Sequence, residues 1–140
     1  MPIVHNKKMK IFIIVLIVLG LLIWLVKRNG KVDVFAKGVA KAQLRSFYAF
    51  QHHDPNLSKR ELYVKTISMR PGYRNGEAEG LVKEAEERLK GGSILKLKDV
   101  VYQLALKEYI NSTSPRISME NGLNILVIKQ IIDESVPDNL

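Results

Sequence analysis

Residues Ile11 to Val26 read IFIIVLIVLGLLIWLV, sixteen consecutive positions with no charge, hydroxyl or amide. A helix this apolar on every side must be surrounded by protein or by lipid, and a chain of 140 residues has little protein to spare for it. Crossing about 30 Å of hydrocarbon takes roughly 20 mostly apolar residues, so the run is slightly short. Met9 extends it, and Lys10 and Lys27 can hold their ammonium heads at the interface while their stems lie in lipid. Trp24 suits the headgroup boundary, and Gly20 is tolerated in a membrane helix. The residues expected at the membrane interface are Lys10, Trp24, Lys27, Arg28 and Lys31.

A cleavable signal peptide is the competing reading, with Lys7, Lys8 and Lys10 as its basic region. The run outlasts the usual apolar segment and ends in Lys27-Arg28-Asn29-Gly30-Lys31, where a small-x-small cleavage site would be needed. Without cysteine, lipoprotein processing is excluded. An uncleaved anchor over residues 11–27, behind a basic tail of residues 1–10, is therefore expected. Three lysines precede the run, whereas Lys27, Arg28, Lys31, Lys37, Lys41 and Arg45 follow it. By the positive-inside rule that asymmetry favours a cytoplasmic C-terminal portion, against the pull of the free amino terminus.

The net charge of +8 invites a nucleic-acid reading, and its distribution argues against one. Residues 1–31 hold six Lys/Arg and no acid; residues 32–75 hold eight basic and three acidic groups; residues 76–140 hold eight basic and eleven acidic groups. Basicity is concentrated around the apolar run and fades with distance from it. That gradient fits anionic lipid headgroups near Lys27–Arg45, at about 1 kcal/mol per juxtamembrane cation. A nucleic-acid binder would concentrate its charge on the folded domain.

Behind the run the periodicity is helical throughout. Residues 32–51 place Phe35, Val39, Ala40, Leu44, Phe47 and Tyr48 at helical spacing, with Lys37, Lys41 and Arg45 on another face. That segment is either a core helix with a solvated basic side or an interfacial helix resting on lipid. His52 to Asn56 reads as a turn, because Pro55 disfavours helix at Asp54. Ser58 and Glu61 form a capping box for a helix carrying Leu62, Tyr63, Val64, Ile67 and Met69, which stops before Pro71-Gly72. Asn75 can cap the next helix, whose stripe is Ala78, Leu81, Val82, Ala85 and Leu89, closed by Gly91-Gly92. Its Glu77, Glu79, Glu84, Glu86 and Glu87 read as a solvated face. A further helix spans Leu97 to about Ile110, broken by residues 111–115. A last one, Met119 to about Ser135, carries enough apolar residues to be the central helix, followed by a frayed tail from Val136. The fold expected is all-α, a single N-terminal transmembrane helix followed by a small bundle of four to five short helices. Residues 28–56 would form a juxtamembrane basic helix and turn, and residues 57–140 the compact domain.

Candidate chemistry is sparse. His52-His53-Asp54 lacks the spacing that lets two imidazoles share a metal, and without cysteine no thiolate site exists, so no metal and no cofactor is expected. No G-x-S-x-G or nucleotide-loop pattern occurs. The loop Arg70-Pro71-Gly72-Tyr73-Arg74-Asn75-Gly76 is the best anion candidate, with Arg70, Tyr73 and Arg74 ahead of a helix N-terminus; a plain helix connector is the simpler reading. The function these features support is a single-pass, non-catalytic tether or scaffold recruiting a partner protein at the membrane, with the lipid bilayer as its second partner. The alternatives are a small membrane-active regulator, such as a lysis or toxin-system component working through its transmembrane helix, and an enzyme using the Arg70 loop.

Overall fold

A computed structural model describes the backbone of residues 2–28, 30–74, 76–112 and 119–140, and the side chains of residues 7–23, 31–74, 76–112 and 121–140. Among the described residues the chain is all-helical. The elements in order are α1 (Pro2–Arg28), α2 (Gly30–His53), α3 (Lys59–Ser68), α4 (Glu77–Glu87), α5 (Leu97–Ser112) and α6 (Met119–Ser135). The chain divides into two units, Met1–Lys31 and Val32–Leu140.

The first unit is α1. The basic residues expected as a tail belong to the helix, which starts at Pro2, a residue whose fixed φ and missing N–H suit a first turn. Every residue from Ile11 to Ile23 is exposed. Among the described residues no helix is long and apolar enough to cross a membrane. The side chains of Trp24, Leu25 and Val26, which complete the apolar run, lie outside the described residues, as do those of Lys27 and Arg28. The segment expected to anchor the chain is thus helical, and its passage through a bilayer is not supported by the described residues alone.

The second unit holds one hydrophobic core, to which α2 contributes Ala36, Val39, Ala40 and Phe47. These recur at helical spacing and turn Lys37, Lys41 and Arg45 outward. The compact unit therefore begins at Val32, ahead of the boundary expected at residue 57. The apolar side of α2 is covered by protein, and its basic side is exposed. Tyr48, placed on the apolar stripe by spacing, is 48% exposed, while Gln43 is buried in its stead. Phe47 stacks on Tyr63 of α3 with ring centroids 6.2 Å apart. His52 and His53 form the last turn of α2 and do not belong to the turn that follows, since helix persists up to the residue that Pro55 restricts.

Ser58 caps α3, its hydroxyl accepting from the Glu61 amide at 3.2 Å. The helix buries Leu62, Tyr63, Thr66 and Ile67, and Met69 falls at its C-cap, 62% exposed rather than inward. Pro71 and Gly72 form the corner of a turn closed by the Tyr73 amide on the Arg70 carbonyl at 3.2 Å. Gly72 has φ +92°, the conformation a type II turn requires at its second corner and L-residues with a Cβ resist. The N-cap of α4 is Gly76, left-handed at φ +94° and without a side-chain cap; Asn75, the cap expected, lies outside the described residues. α4 ends at Glu87, ahead of Gly91-Gly92, which shape a separate turn between Lys90 and Ser93. Leu89 follows the helix and is only half-buried.

The central helix is α5. It packs against α3, α4 and α6. Leu97, Val100, Val101, Leu104 and Ala105 are fully buried, and Gln103, Leu106 and Tyr109 nearly so. Its start is fixed by Asp99, whose carboxylate accepts the Lys96 amide at 3.0 Å. The expectation that α6 would be central fails because, among its described side chains, only one stripe, Asn124, Ile128 and Ile132, is buried; Leu126 is 65% exposed. The break expected over residues 111–115 falls largely outside the described residues.

Nor is the C-terminal segment frayed. Val136 is 2% exposed, its amide bonded to the Ile132 carbonyl at 3.0 Å. Asp138 pairs with Lys96 at 3.1 Å and with Lys98, and the main-chain oxygen of Leu140 accepts the Tyr63 hydroxyl at 2.6 Å.

Candidate functional site

The three residues of the Arg70 loop have different surroundings. Arg70 Nη2 donates to Glu108 Oε2 at 2.6 Å and Nε donates to the other carboxylate oxygen, a two-pronged clamp that fills the guanidinium fork. Both side chains are about three-quarters covered, and the carboxylate raises the Arg70 pKa further above its ordinary value. Tyr73 is 8% exposed and part of the core; burial and then the nearby Glu108 carboxylate push its phenol up. Arg74 is exposed. The turn that brought these residues together thus ties the α3–α4 connection to α5, and Arg74 is the member of the trio left facing solvent.

The glutamates of α4 also do structural work. Arg60 of α3 reaches Glu79 at 2.5 Å and Glu86 at 2.8 Å, two residues on one face of α4. Glu84 accepts from Gln103 at 3.2 Å and pairs with Lys107 at 3.7 Å, both on α5. Three of the five acids read as a solvated face therefore link α4 to its neighbours. The partners lie 19 to 26 residues away in sequence, so no local pattern announces them.

At His52-His53 the ring centroids are 6.5 Å apart and nearly perpendicular, so the two imidazoles do not converge. Asp54 lies 4.0 Å from Lys65. Among the described residues no group of three His, Asp or Glu could hold a metal ion.

A pocket of about 130 Å³ opens between α4, α5 and α6, lined by Arg88, Asp99, Tyr102, Gln103 and Lys129 among others. Ligand-binding clefts run to roughly 300–1,000 Å³, so only a very small molecule fits this one. Two of its charged groups have structural partners: Asp99 holds the Lys96 amide, and Lys129 sits 4.9 Å from the Tyr102 ring centroid and 3.3 Å from Asp133. A second polar cluster joins α5 to α6, where the Tyr109 hydroxyl donates to Asn121 and accepts from Asn124, each at 2.9 Å. Neither cluster was legible in sequence, because each is assembled from different helices and no single segment carries its pattern.

Of the interface residues expected from sequence, Lys10 and Lys31 are exposed, and the side chains of Trp24, Lys27 and Arg28 lie outside the described residues. The outer side of α6 presents Leu126 with Leu123 and Val127 partly exposed beside it, and Ile110 at the end of α5 is 54% exposed. No protein-family model, curated protein or solved structure matches the chain.

Proposed function

We propose that this chain is a single-pass membrane protein whose helical unit is a non-catalytic binding module, recruiting a partner protein at the bilayer. The observation that supports this reading is the state of Ile11–Ile23. Its large apolar side chains are each 48% to 64% exposed, in one unbroken run. Soluble monomers seldom leave so much contiguous apolar surface in water. Transfer of the exposed half of each side chain to hydrocarbon is worth about 1 kcal/mol, on the order of 10 kcal/mol over the run. Adding Trp24 to Val26 brings the run close to spanning length, and the flanking Lys10, Lys27, Arg28 and Lys31 suit the two headgroup layers. The partner-binding surface we assign is the outer side of α6 around Leu126, where a partner helix can bury its own apolar face.

Alkaline extraction of membranes carrying the full chain tests the anchor: the protein stays with the lipid pellet, and release into the wash sinks the reading. A photo-crosslinking side chain at position 126 tests the module, with a discrete adduct expected in native membranes and none from position 83. Exchanging residues 11–26 for an unrelated spanning helix separates a tether from a membrane-active regulator. Partner capture survives the exchange if α1 is only an anchor.

A further inference from the structure

We propose that the outward side of α2 is a docking surface for anionic lipid headgroups, so that the helical unit lies on the bilayer with this side against it. The proposal rests on the anchored reading above and goes further, because an anchor alone leaves the orientation of the unit open.

With Ala36, Val39, Ala40, Gln43 and Phe47 turned into the core, the opposite side of α2 carries Val34, Gly38, Lys41, Arg45, Tyr48 and His52, spaced alternately four and three residues apart. Every one is exposed. The single acid of α2, Asp33, lies at the margin of this side and is paired with Lys37 at 3.1 Å. Lys41 and Arg45 stand one turn apart with no carboxylate in ion-pair range among the described residues, although like charges at that spacing repel by a few tenths of a kcal/mol. Elsewhere Arg60, Arg70, Lys96, Lys98 and Lys107 are engaged by acids of neighbouring elements. Phosphate headgroups supply the missing counter-charge. Val34, 69% exposed, and Tyr48, 48% exposed, flank the cations with the apolar and aromatic groups that settle at headgroup depth. Attachment to α1 starts this helix a few residues from the apolar run, and with the helix laid along the bilayer each cation is worth about fivefold in association.

The chain has no cysteine, so single cysteines can report each side. Gly38→Cys on α2 and Gly122→Cys on α6 both place the new side chain in open space. Each full-length variant, carrying an environment-sensitive fluorophore, is reconstituted into vesicles of phosphatidylcholine alone or mixed with phosphatidylglycerol. The label at 38 should shift to the blue and resist an aqueous quencher only in the anionic vesicles. The label at 122 remains quenchable in both and reports the fraction of chains facing outward. Neutralising Lys41→Gln and Arg45→Gln should each reduce protection at 38 about fivefold. Equal quenching at 38 in the two lipids overturns the proposal, as does protection by a duplex oligonucleotide without protection by anionic vesicles. Flotation reads the anchor separately. A chain that floats with neutral vesicles but shows no protection at 38 keeps its anchor and loses this surface. One that floats only with anionic vesicles, in a manner weakened by Lys41→Gln, loses the anchor and keeps the surface.

Discussion

The hydroxyl of Tyr63 donates to the main-chain oxygen of Leu140 at 2.6 Å, across 77 residues of sequence, and lies 3.3 Å from the Leu95 carbonyl. One buried phenol thereby joins α3, the approach to α5 and the C-terminal segment.

Tyr63→Phe keeps the ring and removes that junction. A net loss of about 1 kcal/mol per hydrogen bond predicts a destabilisation of about 1–2 kcal/mol, read as a lower urea midpoint. Amide exchange should accelerate most at Val136 and Leu140. Burial, and then Asp99, raises the Tyr63 phenol above its ordinary value. A raised phenol contributes stability that is complete below about pH 10 and lost as pH climbs through the folded value. Tyr63→Phe should therefore soften the alkaline loss expected of the parent, leaving the part due to Tyr73.

Arg70 and Glu108 form the most covered ion pair described in the chain. Removing one member strands the other, so Arg70→Ala or Glu108→Ala should cost about 1–3 kcal/mol, discounted from the fully buried case because each side chain keeps about a quarter of its exposure. A double variant with Arg70→Leu and Glu108→Leu should cost less than the sum of the singles. Additive losses in denaturant unfolding would count against the clamp.

Asp138 gives an acid-side signature. Its hydrogen bonds to Lys98 and then Lys96 hold its carboxyl below the usual carboxylate range. A depressed value means that the unfolded chain takes up the proton first as pH falls. The contribution is present above the unfolded pKa of about 3.9 and disappears as pH falls through the folded value. Asp138→Asn should lower the unfolding midpoint near neutrality and converge on the parent as pH falls through the folded value.

The centrality of α5 is tested by contrast. Leu104→Ala, at a fully buried position, should cost about 2–5 kcal/mol. Leu126→Ala, on the exposed side of α6, should change stability by less than about 0.5 kcal/mol while weakening partner capture. Equal losses at the two sites would return α6 to the centre of the bundle.

What sequence revealed and what it hid divide along one physical line. Helix spacing, the Ser58 cap and the Pro71-Gly72 turn depend on residues within a turn of one another, and each was readable. The stripe Ala78, Leu81, Val82 and Ala85 was readable for the same reason. The rank of α5 over α6 was hidden because apolar density measures how much a helix can bury, and its neighbours decide how much it does. Arg70 looked available for a ligand since its partner Glu108 is 38 residues distant. The tail looked frayed because Pro137-Asp138-Asn139 has no periodicity, while the groups that hold it, Tyr63, Lys96 and Lys98, lie on elements far upstream.

Packing in this unit runs mostly between helices adjacent in sequence, α3 with α4, α4 with α5 and α5 with α6. Few long loops need closing before native contacts form, and chains of such low contact order fold in microseconds to milliseconds. The slow step would be the last, when the segment ending at Leu140 reaches Tyr63. Until then the core stays open at that edge, which makes the joint between Tyr63 and Leu140 the place where a protease or a chaperone would first find this domain unfinished.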